Sequence, residues 1–307
     1  MGGRVAPSGE QWTIASAGHE AVVVEVGGGL RSYAVEGVPV VDGYGEDQLT
    51  PSGAGQVLAP WPNRIRDGRY TFAGTAYQLP LTEPARHNAL HGLVNWSRWR
   101  VTDSGPEHVA VEYELPPHPG YPWALALRTT WRVGSEGLQA AHTATNLGVT
   151  ACPFGFASHP YFALPDVPIT DVLLQVPARN RLLVDGRLLP IGAARVAGSE
   201  FDFTEPRRIG SQELDTTFGD LIRDEGGGSA VTLSALDSPG VRVWADAAFG
   251  WWQVYTGDPL VADRHRRSIA VEPMTCPPDA FRSGRDLVVL EPGETWQGGW
   301  GIRPLEA

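Results

Sequence analysis

His159 stands directly before Pro160 and is followed by Tyr161 and Phe162. A proline disfavours the α region for the residue in front of it and drives that residue toward an extended backbone. The imidazole of His159 is therefore expected to be held in a narrow range of orientations. Such a ring serves as a packed core group, or as a positioned acid or base beside a flat, partly apolar ligand. Glu272 closes the run Ser268-Ile269-Ala270-Val271, again in front of a proline. A carboxylate at the end of an apolar strand is costly to bury unpaired, so it needs partners or a task. Glu-Pro recurs at 83, 205 and 291, so the weight lies on the context: a buried-looking strand before and Cys-Pro-Pro-Asp after.

Two further regions are dense in polar and aromatic residues. In residues 60–72, Asn63, Arg64 and Arg66 sit beside Trp61; alone, this reads as an exposed turn with Arg–Asp pairing. In residues 87–99, His87 and His91 are four apart, the spacing of a helical metal pair. Asn88 stands where a zinc protease carries Glu, and no third ligand is in view, so no metal site is expected. Gly92 places His91 at a turn that backbone or ligand can approach closely.

Period-two segments must position these groups. They include residues 19–26, 108–115, 229–236, 241–246, 251–258, 268–273 and 286–302, and a pair at 125–133 and 138–146 joined by Gly134-Ser135-Glu136-Gly137. Many short strands at this spacing indicate a sandwich or barrel. The nearest approach to an amphipathic helix is residues 211–221. With 37 glycines and 26 prolines in 307 residues, turns are plentiful and long helices disfavoured. Hydrophobic residues at 42% and charged residues at 19% indicate a globular chain, read as one domain over residues 1–307. A net charge of −11 without a basic stripe argues against a nucleic-acid partner. No apolar run approaches the roughly 20 residues of a membrane span, and the start lacks a signal-peptide stretch, so a cytoplasmic protein is expected. Cys152 and Cys276 each precede a proline and form neither a disulfide framework nor a metal knuckle. The 11 Trp are core fillers or platforms for the apolar faces of sugars.

Taken together, the segments resemble the aldose 1-epimerase (mutarotase) family. The matching pieces follow the family's order across nearly the whole chain: GGGLRSYAVEGVPVV at 27–41, NRI at 63–65, HG at 91–92, HPYF at 159–162, LDTTF at 214–218 and EPMTCPPDAF at 272–281. The wording of WPNRIRDGRY, DTTF, QVYTGD and VEPMTCPPDAF is similar to the bacterial branch that includes sulfoquinovose mutarotases. The resemblance implies an all-β fold, a large twisted antiparallel β-sandwich whose concave face holds a sugar. It also implies roles: His159 as general acid, Glu272 as general base, and His91 as a second histidine near the ring oxygen. Arg64 and Asp215 would hold sugar hydroxyls, with Asn63, Tyr161 and Trp251 further candidates for the pocket. Trp251 and Trp252 are adjacent, so on a strand they face opposite ways and at most one lines a pocket. Many members carry Asn-His-Ser-Tyr-Phe around the acid where this chain has Ser158-His159-Pro160-Tyr161-Phe162, which loosens the placement of Tyr161.

The implied reaction exchanges the α and β anomers of a reducing hexose. A base near O1 and an acid near O5 open the ring, and the roles exchange on closure. A carboxylate and an imidazole can both be tuned toward neutrality for this, and no metal, nucleotide or other cofactor is required. The expected partner is a small-molecule sugar, acting on a monomer or homodimer. Rival readings are a non-catalytic sugar-binding module and a glycoside hydrolase using Asp215 and Glu272. A third is an epimerase for a hexose 6-phosphate or sulfosugar, with Arg64, Arg66, Arg69 or the basic run 264–267 receiving the anion.

Overall fold

A computed structural model describes residues 6–236 and 238–306. Met1–Val5, part of the start read above for a targeting signal, lie outside them, as do Asp237 and Ala307. Among the described residues there are 27 strands against a single α-helix of four residues, Ala280–Ser283, and no helix is long and apolar enough to cross a membrane.

The alternating segments become strands because one face of each is apolar. In Leu125–Gly134 the buried face carries Leu125, Leu127, Thr129, Trp131 and Val133; in Gly137–Asn146 it carries Leu138, Ala140, His142, Ala144 and Asn146. The two pair antiparallel from Leu125↔Asn146 to Gly134↔Gly137, with the turn where the glycines place it. Burial of one large apolar side chain of this kind contributes about 1.5–3 kcal/mol. A one-residue slip would turn this whole face outward, which fixes the register.

Two large sheets result. A nine-stranded sheet is centred on Leu125–Gly134, Gly137–Asn146, Thr295–Leu305 and Ser238–Ala245. An eight-stranded sheet runs in the order Pro190–Arg195, Ala178–Val184, Asp215–Leu221, Trp251–Tyr255, Ile269–Met274, Ala157–Ser158 and Val57–Leu58, with Tyr161–Phe162 also pairing to Ile269–Met274. One apolar cluster takes residues from both, among them Trp131 and Trp300 from the first and Phe218, Trp252 and Val271 from the second. This is the antiparallel β-sandwich expected. Residues 211–221 depart from the sequence reading: Asp215–Leu221 is a strand, its apolar Phe218 and Leu221 buried and its neighbours Ala178–Val184 and Trp251–Tyr255 bonded on either side. Tertiary pairing overrides the weak helical pattern there.

A polar path crosses the sandwich. Thr129 Oγ1 and His142 Nδ1 lie 2.9 Å apart. Trp300 Nε1–H is directed at both His142 Nε2, at 2.9 Å, and Ser158 Oγ, at 3.0 Å. All four side chains are fully buried. Burial holds the His142 imidazole neutral, its pKa lowered to about 3. The path ends at Ser158, the residue before His159, and so ties that segment to the opposite sheet.

Candidate active site

The outer face of the eight-stranded sheet carries a row of polar residues set by strand register. Gln253 is paired with Thr217 on one side and Glu272 on the other, and Asp215 with Tyr255. Alternation puts Asp215, Thr217, Gln253, Tyr255 and Glu272 on one face. Thr217 Oγ1 donates to Gln253 Oε1 at 2.5 Å, and Gln253 Nε2 donates to Asp215 Oδ1 at 2.5 Å. Over this face opens a cavity of about 440 Å³, lined among others by Asn63, Arg64, His91, His159, Tyr161, Asp215, Gln253 and Glu272.

His159 Nε2 lies 3.3 Å from Glu272 Oε1, and both side chains are almost wholly buried. Glu272 Oε2 and His159 Nδ1 have no hydrogen-bond partner, so each group keeps free bonding capacity. Burial lowers the His159 pKa to about 4. Burial, with a smaller push from the Asp215 charge, raises the Glu272 carboxyl well above its usual range. The shifts run in opposite directions, so burial holds both groups away from their charged forms.

His159 is held by more than its proline. Its N–H donates to Gln56 O and its carbonyl accepts from Gly55 N–H. Gly55 has a positive φ, and a Cβ there would lie 1.8 Å from Leu30 O, so only glycine lets this segment close on His159. The ring stacks on Tyr161, with centroids 5.0 Å apart and planes at 25°. Its other neighbour is His91, edge-on at 5.5 Å. Tyr161 donates from its hydroxyl to Ser52 O at 3.3 Å.

His91 and Asn63 both have positive φ, 63° and 53°, sparsely populated for residues with side chains. They are joined by His91 N–H to Asn63 O at 2.9 Å. Gly92 makes this possible: a Cβ there would meet Ala59 O at 2.0 Å, the close approach the sequence implied. Burial holds His91 well below the usual imidazole range, with His159 and Arg64 adding to the effect. His87 points elsewhere, its Nδ1 2.8 Å from Asp67 on the surface. Between the two histidines runs strand Asn88–Leu90, not a helix. Among the described residues no three His, Cys, Asp or Glu are grouped to hold a metal ion.

Arg64 meets Glu83 with two bonds, Nε at 2.9 Å and Nη2 at 3.1 Å, and reaches Asn63 Oδ1 at 3.3 Å. Glu83 also accepts from Arg86 Nη1 and Asn88 Nδ2. Two guanidiniums at the cavity thus share one carboxylate. Asp215 has its pKa raised, chiefly by desolvation and against the pull of Arg64 and Arg86. Of the arginines expected to meet an anion, Arg66, Arg69, Arg264 and Arg267 lie outside the cavity lining; Arg66 faces Asp185 and Asp279, and Arg264 and Arg267 face Asp42.

Trp251 is a correction. It shares a face with Gln253 and Tyr255 but lies beyond the cavity, packed with Leu58, Ala157, Leu182 and Met274. Its indole N–H donates to Asp286, and the ring occupies the space left by Gly219. Trp252 is core, bonded to Ser229. The sequence reading also passed over Gln253, Arg86 and Trp96, all in the cavity lining. For Gln253 the signal was present: a lone amide in an otherwise apolar strand requires buried partners.

The antiparallel sandwich is shared with solved structures. A GalM/aldose epimerase homologue from C. elegans superposes with a TM-score of 0.85 at 18% identity, over 97% of this chain and 99% of that one. Galactose 1-epimerase from Lactobacillus acidophilus gives 0.80 at 22% identity, over 96% and 95%. The sequence itself matches the aldose 1-epimerase profile over residues 10–303. The chain belongs to the aldose 1-epimerase family. It is 33% identical over 292 residues to the uncharacterised YihR protein of Escherichia coli (strain K12), covering 94% of this chain and 91% of that protein. It is also 30% identical over 198 residues to galactose mutarotase of Mus musculus, covering 61% and 55%.

Proposed function

We propose that this protein is a hexose mutarotase that opens and recloses the sugar ring with Glu272 and His159 as its proton-transfer pair. The observation that carries the reading is the 3.3 Å approach of these two buried groups at the cavity floor. In ring opening Glu272 takes the O1 proton, the C1–O5 bond breaks to give the aldehyde, and His159 protonates O5. Rotation about C1–C2 presents the other carbonyl face, and closure returns both protons. The pair exchanges roles on closure, so each member serves as acid in one direction and as base in the other. His91, edge-on to His159, would sit near O5. Asp215 accepts from sugar hydroxyls, and Arg64, Asn63 and Tyr161 complete a polar wall that penalises analogues lacking a matching hydroxyl. A pure binding module has no need of this buried pair.

Arg64 is compensated by Glu83, which favours a neutral hexose. Glu83 is shared with Arg86, which also lines the cavity, and this supports, as a second reading, a sugar bearing a phosphate or sulfonate. Anomer exchange followed by polarimetry on glucose, galactose, glucose 6-phosphate and sulfoquinovose tests both. Acceleration of any anomer exchange supports the class, and the preferred sugar decides between the readings. A folded protein that accelerates none of them contradicts the proposal.

A further inference from the structure

Eleven tryptophans are present, and Trp96 is the one aromatic among the exposed large apolar side chains of the described residues, at 54% exposure. It lines the cavity that holds His159 and Glu272. Leaving half an indole in water forgoes apolar burial unless something covers it.

The backbone that presents it is unusually well fixed. Ser97 N–H donates to Val94 O at 3.1 Å, closing a turn around Trp96. Leu93 N–H donates to Ala59 O on one side of the turn; on the other, Ser97 O accepts from Gly27 N–H and Trp99 N–H donates to Glu25 O. The buried Gln56 amide donates to Asn95 O at 2.7 Å, and its oxygen accepts from Asn95 Nδ2 at 3.4 Å. Val94 and Trp99, either side, are buried. A loop pinned at this many points does not expose its largest side chain for lack of an alternative.

We propose that Trp96 is a specificity-determining platform on which the C–H face of a pyranose stacks, and that Gln56 is its positioning residue. The proposal rests on the sugar-epimerase reading of this cavity and assigns one wall of it. An indole face at the cavity suits a ring with hydrogens gathered on one side, whereas the polar row Asp215, Gln253 and Glu272 meets the hydroxyls. The stacking contact is made equally in ground and transition states, so it acts on binding rather than on the chemical step.

The test measures KM and kcat for anomer exchange, and sugar binding by saturation-transfer NMR, on the wild type, Trp96→Ala, Trp96→Phe and Gln56→Leu. Uncovering about 55 Å² of apolar contact predicts a rise of about tenfold in KM for Trp96→Ala, with kcat changed by less than about threefold. Trp96→Phe should recover most of the affinity, and Gln56→Leu should raise KM with a smaller effect. Unchanged KM and binding in Trp96→Ala overturn the platform. If the wild type binds sugar through Trp96 but accelerates no anomer exchange, the platform stands and the epimerase reading falls. If it neither binds nor turns over any sugar of the panel, both fall.

Discussion

Gln253→Leu separates the support of the site from its chemistry. Gln253 is 3% exposed and Thr217 4%, and the amide bridges the Thr217 hydroxyl to the Asp215 carboxylate with two 2.5 Å bonds. Leucine fills similar volume but leaves the buried Thr217 hydroxyl without its acceptor, costing about 1–3 kcal/mol. Replacing both partners by apolar groups of matching shape removes most of that cost, so Thr217→Val with Gln253→Leu should be more stable than the sum of the single changes. The coupling should amount to about 1–2 kcal/mol. Urea unfolding of the four proteins, read at constant m-value, measures it. Function should move differently. The Gln253 bond lowers the Asp215 pKa, so both Gln253 variants should bind sugar more weakly, most of all at acid pH, even where stability is restored. Additive stabilities, or a Gln253→Leu protein as stable as the wild type, would refute the bridging role.

Other outcomes follow from the same geometry. Glu272 has a raised folded-state pKa, so its contribution to stability is intact below the unfolded value near 4.5 and is lost as pH rises toward the folded value. Glu272→Gln should therefore gain stability over the wild type at pH 8 and not at pH 4; a gain confined to pH 4 in urea titrations would contradict this. The pH profile of kcat/KM should be a bell whose acid limb lies near the His159 value of about 4, and a limb at an ordinary imidazole pKa of about 6.5 would argue against the pair. Pro160→Ala should lower kcat, but by only about threefold or less, because two backbone bonds to Gly55 and Gln56 also hold His159; full loss of activity in a folded variant would show the proline to be the main restraint. Gly92→Ala should cost more than about 3 kcal/mol, since its Cβ would collide with Ala59 O and its φ is +77°; ordinary thermal stability would contradict the close approach.

Much of the fold was legible because alternation is a local signal. The hairpin at 125–146 was readable from its apolar face and its Gly134 to Gly137 turn. The polar, aromatic-rich segments carrying Asn63, Arg64, His91, His159, Tyr161 and Glu272 stood out in one dimension, and the fold brings them to one cavity. What was not legible depends on where a sheet face ends. Trp251 has the same parity as Gln253, and only the third dimension places one under the cavity and the other beneath Leu58 and Met274. The strand at Asp215–Leu221 was masked by a short helical pattern that neighbouring strands override. The compensation of Arg64 by Glu83, 19 residues away, and the bonding of Gln56 to Asn95, 39 residues away in sequence, are long-range events that no local pattern encodes.

The most direct test of the central claim is the rate of anomer exchange for the preferred hexose, measured by polarimetry on the wild type, Glu272→Gln and His159→Asn, each shown to be folded. Acid–base assistance is worth about 10²–10⁴-fold. The account predicts that the wild type accelerates exchange, and that each variant loses at least about 10²-fold of that rate while still binding sugar. Variants that retain wild-type rates would show that the His159–Glu272 pair is not the proton-transfer machinery.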